Sequence, residues 1–414
     1  MPLFLAQWWD VRDLGNAAGA FLEWLGDWGP DWLPYTVSAI VGCLAILLFL
    51  LPSQFVFAWA ERRLIGRIQS RLGPNRVGPF GLLQTVADTV KLFTKEAITT
   101  RNVDRWVFWL APVVVLVPSM MVFGVLPFGE GMIIADLNVG VLFLAAVGSI
   151  NAIVVFMAGW SSNNKFALMG AMREVAMLIS YEIPQVLALL GVVIFTNTMS
   201  LGGIVRWQDH YNTWLLFLQP LALVVYLIAG SVEIDRTPTD IAEGESEIVA
   251  GYHIEYSGIK FGFFYAGEYF GGFAIAAIVA TLYLGGWSLW GLEEWVPGWI
   301  IFLAKLYAVF WLFIWMRGTL PRLRIDQLMG FAWKFLLPVT LINIFFAGLE
   351  VLLWQENDLA AGVVLPAFAV ANLVLAVGLA VVWARLLAHA RPELRPRRAR
   401  LMQELGAIVY GQEV

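Results

Sequence analysis

The sequence predicts an all-α, polytopic membrane protein with about nine transmembrane helices, amphipathic helices and structured cytoplasmic loops. Three observations predict it. Apolar runs of 18 or more residues recur along the whole 414-residue chain, the length a bilayer core demands of a helix. The mean hydropathy is +0.75 with only 14% of residues charged. The charges are gathered between the apolar runs rather than scattered through them. This balance excludes a soluble domain, and the net charge of −5 matters less than where the charges fall.

Residues 1–32 form an interfacial amino-terminal segment, in which Trp8, Trp9, Trp24, Trp28 and Trp32 stand among acids and glycines. Tryptophan favours the headgroup level, so an interfacial helix is expected before the first span. No basic, apolar and small-residue succession opens the chain, so no cleaved signal peptide is expected. The spans are predicted at 33–57, 106–126, 139–160, 174–195, 214–232, 260–284, 297–316, 333–354 and 361–388. Residues 33–354 make the main membrane domain, 355–390 an extra carboxyl-terminal transmembrane helix, and 391–414 a basic cytoplasmic tail.

Of the 26 Lys and Arg residues, 23 fall in alternate connections and in the tail. The positive-inside rule then places the amino terminus outside and the carboxyl terminus in the cytoplasm, a parity that nine spans satisfy. The first of these connections carries Gly73-Pro74-Asn75-Arg76-Val77-Gly78-Pro79, whose Gly and Pro enforce turns. An amphipathic helix is predicted at 80–97, with Leu83, Val86, Val90 and Phe93 on one stripe and Asp88, Lys91 and Lys95 off it.

The central connection has the strongest chemical signal. Six carboxylates crowd into the fifteen residues from Glu233 to Glu247. Crowded like charges beside a low-dielectric wall favour proton retention, although a solvated acidic loop reads the same way. Asp240 with Glu243 three residues on has the form of a helix N-cap with its capping box, and Glu243 and Glu247 would share a helix face. Two further acids fall inside spans. Glu182 lies in the fourth, beside Pro184, which is expected to kink the helix; Glu268 lies in the sixth. A charged acid at mid-bilayer depth costs roughly 2.5–3.5 kcal/mol, so each is a candidate proton carrier or a structural acid paired to an Arg or Tyr.

Other chemistries have little support. One cysteine, Cys43, excludes disulfides and cysteine metal sites, and the three histidines lie in loops or at segment ends. No phosphate-binding glycine motif or metal-ligand cluster appears, and nothing points to nucleic acid. Electron carriers, if any, must belong to partner chains. The same acids suit a proton-coupled transporter, but no self-similar halves appear and the polar weight is one-sided.

At this point the sequence resembles a family. Glu61-Arg62-Arg63-Leu64-Ile65-Gly66-Arg67-Ile68-Gln69 with the Gly73–Pro79 turn is similar to the first cytoplasmic loop of the H-type membrane subunit of NADH:quinone oxidoreductase, respiratory complex I. The likeness continues at Ala87-Asp88, Ser180-Tyr181-Glu182, Arg236-Thr237-Pro238, Ala242–Glu247, Ala266-Gly267-Glu268-Tyr269 and Pro321-Arg322-Leu323-Arg324. It implies a bacterial cell-membrane subunit that forms most of a quinone tunnel and begins a carboxylate proton path. Carried over residue by residue, Glu182, Glu233, Glu243, Glu245, Glu247 and Glu268 are the proton-path acids. Arg62, Arg63, Arg67, Arg76, Asp88, Arg322 and Arg324 are the quinone-tunnel and docking residues. The resemblance implies quinone as substrate, no cofactor or metal on this chain, and FMN and iron–sulfur clusters on partner subunits. It also implies as partners the quinone-site and iron–sulfur subunits of the peripheral arm and small subunits of the membrane arm. Thr239 and Ile325 depart from the family pattern, which usually has an aromatic at each. Related subunits of energy-converting hydrogenases share some of these motifs and stand as the alternative.

Overall fold

The computed structural model describes residues 32–236, 239–241, 249–356 and 360–389. They are mainly helical, with no β-strand among them. The elements in order are α1 (Trp32–Ile68), α2 (Gln84–Thr94), α3 (Arg105–Val114), α4 (Leu116–Val125), α5 (Gly140–Ser161), α6 (Lys165–Thr196) and α7 (Leu201–His210). Then follow α8 (Leu215–Leu218), α9 (Pro220–Glu233), α10 (Ile259–Leu282), α11 (Gly298–Thr319), α12 (Ile325–Phe331), α13 (Leu337–Glu356) and α14 (Ala361–His389).

Eight helical stretches among the described residues are long and apolar enough to cross a membrane. The remaining predicted span, the fifth at 214–232, is built in two pieces. Gln219 leaves the helical region (φ −131, ψ 51) and Pro220 opens α9 as a new helix, the position where proline's missing N–H costs nothing. Alone, the 14 residues of α9 reach about 21 Å at 1.5 Å per residue, short of a bilayer core near 30 Å. Together α8 and α9 cover 215–233, close to the predicted bounds. The break stays buried because Asn343 Nδ2 donates to Gln219 Oε1 at 2.7 Å.

Three spans overrun their predicted bounds, at Trp32–Ile68, Lys165–Thr196 and Ile325–Glu356, and the others agree to within three residues. Apolar composition marks the hydrocarbon zone, whereas hydrogen bonding carries a helix beyond it. Thus α1 continues to Ile68 and puts Arg62, Arg63 and Arg67 on a helix instead of in a loop. The helix predicted at 80–97 contracts to α2, because Phe80 and Gly81 take left-handed backbone (φ 56 and 80) and close a turn before it. Pro184 lies within α6, which runs as one helix from Lys165 to Thr196. The π-helical turn Ala332–Leu336 joins α12 to α13. The interfacial segment expected at 1–32 and the tail at 391–414 lie outside the described residues, save Trp32.

Small residues let the central helices approach closely, as membrane packing favours. A Cβ on Gly272 would stand 2.8 Å from the Phe310 ring, and one on Gly230 would stand 2.7 Å from Ile275. Around α10, rings interlock: Phe273 stacks on Phe310 at 4.4 Å and Phe57 on Tyr307 at 4.8 Å. This core binds α1, α10 and α11 into the wall behind the charged groups.

A carboxylate-lined cavity and its ion-pair chain

Three of the predicted acids meet at one cavity. Glu182 and Gln185 stand three residues apart on α6 and so share a helix face. Glu233 ends α9, where the chain turns at Asp235 (φ 48). The turn is fastened by Thr239, whose Oγ1 donates to Ser231 O at 3.1 Å and Arg236 O at 2.7 Å. Glu268 enters from α10. Together with Asp235, Asn151 and Tyr226 these residues line a cavity of about 90 Å³, room for several waters where polar groups can hold them.

Each of two cavity acids has a neutral partner. Ser149 Oγ, from α5, hydrogen-bonds Glu182 Oε1. Gln185 Nε2 donates to Glu233 Oε2 at 2.8 Å. Glu182 also acts on Glu233 through its charge.

A second cluster lies beside the cavity. Glu61 of α1 is 2% exposed. Its Oε1 accepts from Arg236 Nη1 at 2.6 Å and from Arg317 Nη1 of α11, and its Oε2 accepts from the Tyr269 hydroxyl of α10 at 2.6 Å. The Arg236 guanidinium also lies 4.5 Å from the Tyr269 ring centre. Burial works against the Arg236 charge, yet Glu61, then Tyr269 and Glu268, hold its pKa above the ordinary guanidinium range. Arg236 therefore faces Glu61 on one side and feels the cavity acid Glu268 on the other.

From Tyr269 the contacts run outward. Its hydroxyl meets the Tyr265 hydroxyl at 3.2 Å, and Tyr265 lies near Arg62. Arg62 Nη1 donates to Asp88 Oδ2 of α2 at 2.5 Å, and Gln84 Nε2 to Asp88 Oδ1 at 3.1 Å. Burial pushes the Asp88 carboxyl up, but these two donors and the Arg62 and Lys91 charges outweigh it and hold the pKa below the usual value. Arg63 lies over the Trp59 and Phe80 rings, 5.3 and 5.5 Å from their centres, and pins the turn before α2.

The remaining predicted residues separate into two groups. Arg322 Nη2 donates to Asp240 Oδ2 at 2.7 Å, so it braces the central loop. Arg324 pairs with Asp326 at 3.3 Å, and Arg67 and Arg76 are exposed. These last three are not brought to the cavity. Glu243, Glu245 and Glu247, and with them the capping box expected from Asp240 to Glu243, lie outside the described residues.

Sequence reasoning missed Glu61, Tyr269, Arg317, Gln185 and Ser149 as site residues. Glu61 reads as surface charge beside Arg62 and Arg63. Its signal was periodic: Leu50, Gln54, Ala58 and Glu61 recur at helical spacing, and all are buried. A further buried acid, Glu350 of α13, accepts from Asn372 Nδ2 of α14 at 3.0 and 2.8 Å.

The fold and the cavity define a multi-pass helical membrane subunit with a carboxylate chamber at its centre. A profile of the family described as NADH dehydrogenase matches residues 41–348. The H-type subunit of NADH-quinone oxidoreductase from Dehalococcoides mccartyi strain CBDB1 is 49% identical over 326 residues, 79% of this chain and 90% of that one. The same-named subunit of Carboxydothermus hydrogenoformans is 49% identical over 317 residues, 77% of this chain and 89% of its own. That of Geobacillus kaustophilus is 46% identical over 324 residues, 78% and 96%. The chain belongs to this H-type family of NADH-quinone oxidoreductase subunits, and is a membrane subunit of that oxidoreductase alongside the other subunits of the complex.

Proposed function

We propose that this chain forms the access tunnel for the quinone and holds the first acids of the path that couples quinone reduction to proton translocation. The observation that carries the reading is the meeting of Glu182, Glu233 and Glu268 at one cavity, joined through Arg236 to Glu61 and on to the Arg62–Asp88 pair. On this reading Arg62, Arg63 and Asp88 order the tunnel mouth, while Arg67, Arg76, Arg322 and Arg324 serve docking of the redox arm. Glu243, Glu245 and Glu247 extend the acid path into the central loop. The chain holds no redox group of its own; quinone is the substrate, and FMN and iron–sulfur clusters sit on the peripheral-arm subunits. Its dense loops face the cytoplasm and its amino terminus the outside.

The chemistry asked of the chain is modest. Reducing a quinone takes up two protons with two electrons, so charge changes near the tunnel. Acids that share a water-filled, partly desolvated space titrate as one coupled system, and a charge change beside them redistributes their protons. Replacing Glu182 by Gln removes one proton-carrying group and keeps the shape. Quinone reduction and proton pumping should then fall together, by about 10²-fold or more as for a lost acid–base group. NADH oxidation by an artificial acceptor should persist, and Glu182→Asp should retain part of the activity. Wild-type rate and pumping ratio in an assembled Glu182→Gln complex would make Glu182 a structural acid and sink the reading.

A further inference from the structure

We infer that Gln185 is the positioning residue that holds Glu233 toward Glu182, so that the two acids share protons through the cavity instead of titrating as separate sites. This rests on the proton-path reading above and names the group that makes the pairing work.

The geometry is specific to three helices. Gln185 sits one turn after Glu182 on α6, yet its Nε2 crosses to Glu233 Oε2 on α9 at 2.8 Å. Tyr226 of α9 and Gln185 line the same cavity. An amide offers donors and an acceptor and never ionises; a Leu there would pack but could not hold a carboxylate. On the opposite wall two consecutive residues of α5 back the two acids. Ser149 bonds Glu182, and a Cβ on Gly148 would stand 3.4 Å from Glu233 Oε1. Ser149 has one hydroxyl proton and two acceptors in reach, Glu182 Oε1 and Ala145 O at 3.2 Å. It can donate to Glu182 when that acid is ionised and turn to Ala145 when the acid is protonated. Glu233 has no such switch: its partner Gln185 donates in either state.

The titratable groups around the cavity with Glu233 are Glu182, Glu268, Asp235, Tyr226, Tyr181 and Tyr252, with Arg236 behind, turned toward Glu61. None of these supplies the fixed neutral donor that Gln185 does.

The test uses the intact complex in sealed membrane vesicles. It follows quinone reduction and proton uptake against pH, with artificial-acceptor oxidation of NADH as the measure of assembly. Gln185→Leu should slow quinone reduction about tenfold at neutral pH and move the pH profile alkaline by about one unit, because the lost donor had favoured the ionised carboxylate. Gln185→Asn, which keeps the amide on a shorter stem, should recover part of the rate and half or more of the shift. An unshifted profile in Gln185→Leu overturns the inference, and if that variant does not assemble, an unshifted profile in the near-isosteric Gln185→Met, which also lacks the donor, does so. Glu233→Gln and Glu182→Gln are measured in parallel. If both behave as wild type, the proton-path reading itself fails; if they are impaired while the Gln185 variants are normal, only the role of Gln185 fails.

Discussion

Replacing Glu61 with Gln tests whether the buried cluster is a coupled unit. The substitution leaves Arg236, only 7% exposed, facing a neutral amide whose oxygen can accept from two of the three donors while its NH2 cannot accept from the third. Stranding a buried charge in this way costs about 3–5 kcal/mol. Arg317, whose side chain is 35% exposed, is solvated and adds about 1 kcal/mol at most. Replacing Arg236 with Gln is milder, because Glu61 keeps Arg317 and Tyr269; the loss of a charge-assisted bond costs about 1.5–3 kcal/mol. In the double variant no guanidinium is stranded, so its cost should fall short of the sum of the singles by about 2 kcal/mol. The assay is thermal unfolding of the purified complex in detergent, read by loss of quinone reductase activity and by tryptophan emission. Destabilisation of about 1 kcal/mol moves the midpoint of a domain of ~200 residues by about 2–4 °C, and a chain twice that length by less. The singles should therefore lower the midpoint measurably and the double should lie close to Glu61→Gln alone. Midpoint shifts that simply add would refute the coupling, and with it the view of Arg236 as the link between Glu61 and the cavity.

Three other predictions follow from the proposed tunnel mouth and the topology. Arg62→Gln and Arg76→Gln should weaken quinone reduction while the artificial-acceptor reaction persists, and a parallel fall of both activities would make these assembly residues. Because the folded Asp88 pKa lies below its unfolded value, its pairing contributes stability above the ordinary carboxylate range near pH 4 and loses it as pH falls through the lowered value. Protease cleavage around α2 should therefore set in at a higher pH in Arg62→Gln than in wild type, and an unchanged onset would show that the pair does not hold α2 down. In a Cys43→Ser background, Asn75→Cys and Leu405→Cys should label only from the cytoplasmic face and Glu130→Cys only from outside; any reversal overturns the orientation.

Much of the fold was legible because membrane insertion is a crude filter. An apolar run long enough to span leaves few alternatives, so the crossings were found wherever a single helix makes them. The fifth was harder, since composition does not register that Gln219-Pro220 breaks a run that is otherwise uniformly apolar. At the site, acids inside apolar segments were visible because each is expensive there, which is why Glu182 and Glu268 stood out. Glu61 did not, because a charge next to two arginines at the end of a span looks like surface. Its burial is decided by α10 and α11, more than 200 residues away in the chain. Gln185 and Ser149 are ordinary polar residues by sequence, and only the facing of α5, α6 and α9 gives them acids to hold.

The Glu61 cluster sets two guanidiniums against one carboxylate, so it has an excess of positive charge. That excess lies between the Arg62–Asp88 pair on one side and Glu268 on the other. Opposite charge within a few ångströms favours the ionised form of an acid, and interactions in a buried site are poorly screened by salt. On the proposed reading, proton uptake at the tunnel therefore need not travel through a continuous wire of hydrogen bonds to reach the cavity. A change of charge or position at Arg236 alters the field on Glu268, and through it on the acids that share the chamber with Glu182 and Glu233. The loop after α9 contributes both Asp235 to the chamber and Arg236 to the cluster, adjacent residues turned by the left-handed Asp235 backbone. That single turn is what makes one rigid segment answer to both sides.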